Sequence, residues 1–421
     1  MEMERLTAQD RLLEGAAPAE NGQVQSSRWR RRIVPGTAFV FYLLIALEAV
    51  IMITPFTVYF YAVYAPVLGW LEARPSTAWL TAFFLPHITY TGSPLLTALA
   101  WLGPVLLTLG LGIFLICAAQ VYSAKLFRRG VVTGGLYRRV RHPQYLGLGI
   151  AGLGLLFYWP RFIILVLYVS MLFVYYLLAR HEEERMEAKF GVGYRRFKQS
   201  TPMFLPGFRI GSGWSLGAFP RGATLALTYV VILAVSIGVA FGARAYSRSR
   251  VPMTRYSDAL SATSLSPAGG AELERTIGAA LGHPEVKGLL EKFHQPGHTL
   301  VAYVFPRAYM MQHLIADIGE HEAHHGKTAE SGFWATAKHL GQMYALEPLR
   351  QLRDGALSPE KRIIFTEAVT AKGERVPASR AFDTDVLRLP LFLVELDGDE
   401  VTAVMETPRR HSWGTIPVPA F

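Results

Sequence analysis

The chain has 421 residues, of which 51% are hydrophobic and only 18% charged, and its mean hydropathy of +0.25 excludes an ordinary soluble globular protein of that length. The formal net charge of +10 belongs to one half: residues 1–243 hold 22 Lys+Arg against 11 Asp+Glu, and residues 244–421 hold 20 against 21. The arginines flank apolar runs instead of lining one polar face, which excludes nucleic acid as the partner, and the single cysteine, Cys117, excludes an internal disulfide and any Cys-rich metal site.

Residues 1–35 are polar, Glu/Gln/Ala-rich and without periodicity as far as the basic cluster Arg28, Arg30, Arg31 and Arg32, which predicts a disordered basic tail. A membrane domain over 36–243 follows. Its first apolar run, about Thr37–Tyr64, is too long for a signal-peptide core and lacks a small-residue cleavage site, so it reads as a retained anchor. Further spans are expected near Pro94–Val121, Tyr145–Trp159, Arg161–Ala179 and Gly222–Ala243, judged against the roughly 20 residues a helix needs to cross a bilayer. With the N-terminus in the cytoplasm, the inside segments 1–36, 122–145 and 180–222 hold 6, 6 and 8 Lys+Arg, while the outside connections hold only Arg74 and Arg161. That asymmetry favours five spans and puts the following domain outside the cytoplasm. Arginine outnumbers lysine 33 to 9, the bias of a GC-rich, bacterial source.

Residues 244–270 form the expected linker, with Ser257–Gly270 rich in Ser, Ala, Pro and Gly. Beyond it, 271–421 reads as a soluble α+β domain, with helical patterns at Glu272–Leu281 and Met310–His325 and a strand-like ending at Leu389–Glu406. The fold class is therefore an all-α polytopic membrane domain followed by a soluble α+β domain.

Chemistry concentrates in two stretches. The first, Thr133-Gly134-Gly135-Leu136-Tyr137-Arg138-Arg139-Val140-Arg141-His142-Pro143-Gln144-Tyr145-Leu146-Gly147, is a basic, glycine-containing loop leading into a helix, with Pro143 suited to the first helical turn. A helix N-terminus beside Arg141 suits an anion, and the methionyl carboxylate of S-adenosylmethionine is one such anion; lipid phosphates facing a juxtamembrane loop are another. The second stretch, Arg180-His181-Glu182-Glu183-Glu184-Arg185-Met186-Glu187-Ala188-Lys189-Phe190-Gly191, continues the preceding span, with Glu182, Met186 and Phe190 on one face and Gly191 as the stop. A carboxylate there can hold an ammonium or ribose hydroxyls, and the same run also reads as a solvated charge face. The chain goes out and back between the two stretches, turning at Trp159-Pro160-Arg161, so both end on one side of the membrane.

Tyr137, Arg141-His142-Pro143, Tyr145 and Gly147, followed by Glu182-Glu183, Met186, Phe190-Gly191, Tyr194 and Pro202 to Pro206, closely resemble the isoprenylcysteine carboxyl methyltransferase and phospholipid methyltransferase superfamily of membrane enzymes. The resemblance covers about Val132 to Pro206. It implies methyl transfer from S-adenosylmethionine at the cytoplasmic face, a cofactor pocket made by Tyr137, Arg141, His142, Pro143, Tyr145, Gly147, Glu182 and Glu183, and an acceptor reached from the bilayer. His142 and Glu183 are the candidates for a base, which an amine acceptor needs and a carboxylate or thiolate does not. Where the prenylcysteine enzymes usually carry a second Tyr and an Arg, this chain has Phe197 and Gln199-Ser200-Thr201. The acceptor, lipophilic or small, therefore stays open among carboxylate, amine and thiol, with membrane lipids as the surroundings.

A competing pattern lies in the C-terminal domain. His321-Glu322-Ala323-His324-His325 satisfies His-Glu-x-x-His, which places two zinc-type ligands, His321 and His325, one helical turn apart, with His339 or Glu347 as third-ligand candidates. It predicts a zinc hydrolase or a metal-binding module. Gly319 just before it, and the chance frequency of so short a pattern, favour a polar helix end.

Overall fold

The structure, a computed structural model, describes residues 43, 46–47, 49–59, 70–71, 74–86, 93–127, 132–205, 221–251, 253–257, 259–264, 270–293, 300–307, 359–370 and 372–407. The first helix, α1, covers Ala49–Tyr59. It is followed by α2 (Pro94–Leu126), α3 (Pro143–Tyr158), α4 (Phe162–Ser200) and α5 (Arg221–Arg248). Among the described residues, three helices are long and apolar enough to cross a membrane: Pro94–Leu126, Phe162–Ser200 and Gly222–Arg248. These are three of the five expected spans. The fourth, α3, has 16 residues and is only about 24 Å long, short of a hydrocarbon core of about 30 Å. Of the run expected as the first span, Thr37–Tyr64, much lies outside the described residues.

The contacts divide the chain into two compact units, residues 1–58, 110–149 and 170–224 in one and residues 59–109, 150–169 and 225–421 in the other. In the first unit the backbone of α2 meets α3 at a glycine. A Cβ added to Gly147 would lie 2.8 Å from the Phe114 nitrogen and 2.9 Å from the Gly110 oxygen, closer than real Cβ contacts come. Small residues that let helix backbones touch are the usual device where lipid removes the hydrophobic drive for association. Gly147, expected in the cofactor pocket, is thus a packing residue.

The second unit repeats the device one heptad away. A Cβ at Gly154 would lie 2.3 Å from the Leu107 nitrogen and 2.6 Å from the Gly103 oxygen. The Tyr59 hydroxyl donates to the Gly152 carbonyl at 2.7 Å, removing a polar group from the apolar surroundings. The turn between α3 and α4 is held by the strand-like segment at Phe83, which bridges Arg161, with Phe84 N–H on the Pro160 carbonyl at 2.7 Å and Phe162 N–H on the Ala82 carbonyl at 3.1 Å. Near the end of α5, buried Arg244 donates to the Phe83 and Phe382 carbonyls, and Arg248 pairs with Asp383 at 2.9 Å.

The same unit holds a six-stranded sheet in the sequential order β1 (Met253–Arg255), β2 (Leu260–Ser264), β3 (Leu300–Pro306), β4 (Glu360–Thr370), β5 (Val386–Asp397) and β6 (Glu400–Glu406). Only the β2–β3 pair is parallel, and its crossover is made by α6 (Gly270–Gly282) and α7 (Pro284–Phe293). Side-chain alternation sets both faces: Leu300, Ala302 and Val304 pack with Leu273, Ile277 and Val286 of the helices, while Val301, Tyr303 and Phe305 pack with Ile364, Val376 and Phe382. The expected α+β character and the helix at Glu272–Leu281 are present. The segment 244–270 read as linker carries β1 and, in its Ser/Ala-rich part, β2. Its small residues Ser261, Ala262, Thr263 and Ser264 are buried in the sheet, where small side chains fit between packed neighbours.

Candidate active site

The basic loop begins with a single turn, Gly135–Arg138, entered through Gly135 at φ 63, a left-handed conformation that glycine adopts without a Cβ clash. This turn buries Tyr137, whose hydroxyl lies 3.4 Å from the Cys117 carbonyl of α2, and burial pushes its phenol well above the ordinary range, so it stays a neutral donor. The His142 carbonyl accepts the Leu146 N–H at 3.1 Å and Pro143 opens α3, the arrangement expected for a proline at the first helical position.

Glu182 and Glu183 follow the apolar part of α4. The first helical segment ends at Gly191, the stop expected from the sequence, and a second segment follows it directly. Gly191 takes φ 56 and ψ −125, breaks the helical path, and the helix resumes to Ser200. A straight helix would put Lys198 about 22 Å from Glu183, yet the Lys198 Nζ lies 3.3 Å from the Glu183 Oε2. The break at Gly191 therefore folds the last turns back against the acidic pair.

The backbone then closes the site. Arg141 N–H donates to the Pro202 carbonyl at 2.9 Å and His142 N–H to the Met203 carbonyl at 3.1 Å. The Arg141 side chain does two further jobs. Its Nε donates to Glu183 Oε1 at 2.7 Å, and its Nη1 donates to the carbonyls of Lys198, at 2.7 Å, and Thr201. A guanidinium on the last carbonyls of a helix satisfies groups with no intrahelical partner and complements the negative end of the dipole. Arg141 is thus a brace between loop, acidic helix and helix end, where the sequence had predicted a group offered to an external anion.

Glu183 is 3% exposed and Glu182 38%, so the two neighbours differ in what can reach them. Glu183 is enclosed by Arg141, His142 and Lys198. Glu182 accepts from the Tyr145 hydroxyl and lies 3.5 Å from His142 Nδ1. Buried His142 sits between the two carboxylates, its Nε2 being 3.2 Å from Glu183 Oε1. Burial pulls its pKa down, but the hydrogen bonds and charges of Glu182 and Glu183 outweigh that and leave it above the ordinary value of 6.5. His142 also stacks on Tyr145 at 5.7 Å, Tyr145 on Tyr175 at 4.9 Å, and Phe204 lies 6.0 Å from the imidazole.

Of the expected residues, Arg141, His142, Tyr145, Glu182 and Glu183 are brought into direct contact. Pro143 shapes the helix start, and Tyr137 and Gly147 contact α2. Lys198 and Tyr175 were not singled out from the sequence, and Thr201 and Phe204 entered only within the family comparison; Lys198 lies on the far side of a glycine read as a stop, and only its spacing as a helix partner after a fold-back could have marked it. The pattern His321, Glu322, His325 and its partners His339 and Glu347 lie outside the described residues, and among the described residues no group of three or more His, Cys, Asp or Glu side chains can hold a metal ion.

Residues 100–192 match the family model of phospholipid methyltransferases. This agrees with the superfamily that the loop and acidic motifs resemble, and identifies that segment as membrane methyltransferase-like. No curated protein and no solved structure matches the chain.

Proposed function

We propose that the membrane half of this chain transfers a methyl group from S-adenosylmethionine to a lipophilic or small acceptor at the cytoplasmic face of the membrane. The observation that carries the reading is the convergence of Arg141, His142, Tyr145, Glu182, Glu183 and Lys198 on one site inside the segment matched by the family model. The donor set fits the cofactor. The part-exposed Glu182 carboxylate suits an ammonium or ribose hydroxyls, and the Phe204 ring beside His142 suits a sulfonium centre.

When bound, the sulfonium supplies an already electrophilic methyl group. The chain's own residues then have to hold the acceptor in line and keep water out, and no covalent intermediate is required. The resemblance leaves carboxylate, amine and thiol open as acceptors, with membrane lipids supplying the lipophilic candidates.

For the topology, the distribution of 20 basic residues inside against 2 outside supports five spans, with α1 and the short α3 completing the three long helices. Isothermal titration of the full-length chain in detergent with S-adenosylmethionine tests the reading. Saturable binding is expected, and a folded sample that releases no heat of binding overturns it.

A further inference from the structure

We propose a division of labour within the acidic pair, resting on the reading above: His142 is a positioning residue charged at neutral pH, Glu183 is its structural counter-ion, and Glu182 is the carboxylate that meets the ligand. The geometry of the ring carries this. Both imidazole nitrogens face carboxylate oxygens, Nδ1 at 3.5 Å from Glu182 and Nε2 at 3.2 Å from Glu183. A neutral imidazole has one N–H and one bare nitrogen, so it would turn a lone pair on one of those oxygens; only the imidazolium donates to both. His142 then has no lone pair with which to accept a proton, which removes it as the base.

The charged groups around the ring agree with that state. On α4, Glu182 and Glu183 face it; on its own loop, Arg141 is already paired with Glu183; Lys198, from beyond the break at Gly191, reaches Glu183 as well; and Lys125 at the end of α2 acts on Glu182 through space. From α3 only the Tyr145 hydroxyl takes part, and it is given to Glu182. Glu183 therefore faces two permanent cations without counting His142. Glu182 has the imidazolium as its near cation.

Exposure separates the two carboxylates further. Glu183, at 3%, is sealed by Arg141, His142 and Lys198 and has no surface left for a ligand. Glu182, at 38%, keeps a reachable face while His142 and Tyr145 fix its orientation. A group held from behind by two donors and open in front is preorganised for a cationic or hydrogen-donating ligand atom.

The test uses the full-length chain in detergent, labelled with 15N-histidine, the His142 signals being assigned by His142→Gln. At roughly pH 7.5, above the ordinary histidine range, both ring nitrogens of His142 are expected to carry protons. A single protonated nitrogen at that pH overturns the proposal. In parallel, Glu182→Gln is expected to lower affinity for S-adenosylmethionine tenfold or more with a smaller loss of melting temperature than Glu183→Gln shows. Wild-type affinity in Glu182→Gln, or equal melting losses in both variants, overturns the division. A wild-type chain that does not bind S-adenosylmethionine overturns the proposed function and the ligand-facing role of Glu182 with it, while the ring nitrogens still decide the state of His142.

Discussion

Arg141 and Glu183 lie 42 residues apart in the chain and meet at 2.7 Å, with side chains 10% and 3% exposed. Losing either partner leaves the other's charge less well compensated in a poorly solvated place, Arg141 without its carboxylate and Glu183 with only His142 and Lys198.

Removing either partner is therefore expected to matter more than a surface ion pair would. Arg141→Ala and Glu183→Gln should each cost about 1–3 kcal/mol of stability, the range for losing a charged hydrogen-bond partner, and should weaken S-adenosylmethionine binding through the shape of the site they hold. Arg141→Lys should recover only part of the loss, since an ammonium cannot hold Glu183 and the Lys198 carbonyl in one planar fork. Thermal melting and titration calorimetry read the two effects, and wild-type affinity in both variants would reduce loop and helix to juxtamembrane charge.

The glycines of α2 and α3 give a second contrast. Gly154→Ala places a methyl group against the Leu107 backbone, where neither neighbour can give way, and should cost about 1–3 kcal/mol or more. Gly112→Ala meets nothing within 4 Å and should be neutral or gain up to about 1 kcal/mol in helix propensity. Thermal melting of the two variants side by side separates packing from propensity; equal melting temperatures would mean the close approach is not there.

His142 sets a pH dependence whose sign follows from its raised pKa. A group with a folded pKa above its unfolded value adds stability that is fully present below the unfolded value, about 6.5, and is lost as the pH rises through the folded value. The stability difference between wild type and His142→Gln should thus be largest just below about pH 6.5 and shrink at alkaline pH. A difference that grows with pH would mean the imidazole is held neutral.

The sheet offers a test independent of the membrane. Arg362 and Glu395 face each other across β4 and β5, both buried, joined at 3.0 Å through Nε. Arg362→Met alone leaves the buried carboxylate with only the part-exposed Arg307, 3.2 Å away, and should cost about 1–3 kcal/mol, whereas Arg362→Met with Glu395→Leu should recover most of that. Melting of the single and double variants checks it, and a double variant as unstable as the single would point to a role beyond charge balance.

How much of this was legible beforehand depends on how local the cause is. Pro143 at a helix start, Gly135 in a left-handed turn and the apolar, strand-like run at Leu389–Glu406 are fixed by neighbours in sequence, and the residues that set them are visible there. The fold-back of Lys198 onto Glu183 depends on what a break at Gly191 does to two helix segments, and a positive-φ glycine reads equally as a stop or a corner. Gly147 shows the same limit: a motif glycine beside Tyr145 suggests a pocket, and only the position of Gly110 and Phe114 reveals that a helix backbone needs the space. The strand at Leu260–Ser264 was hidden for a related reason, since Ser, Ala and Thr mark flexible connections in isolation but fill a buried strand when large residues pack around them.

The last expectation concerns the side of the membrane on which the sheet domain lies. Five spans that begin inside end outside, and the basic residues are placed accordingly, 20 in the segments assigned to the cytoplasm against Arg74 and Arg161 in the connections outside. The near balance of 20 basic and 21 acidic residues after position 243 gives the domain no electrostatic attraction to an anionic cytoplasmic leaflet. Arg244, Arg248, Arg250 and Arg255 argue for the cytoplasm, but the first two are engaged, Arg244 on the Phe83 and Phe382 carbonyls and Arg248 on Asp383. Those two serve to fasten the sheet domain to the helix, so they weigh little in the count of topogenic charge. A reporter fused after Phe421 that is active only outside the cytoplasm is the expected result. Activity only inside the cytoplasm would require an even number of spans and would return the short α3, or the run Thr37–Tyr64, to a different path through the membrane.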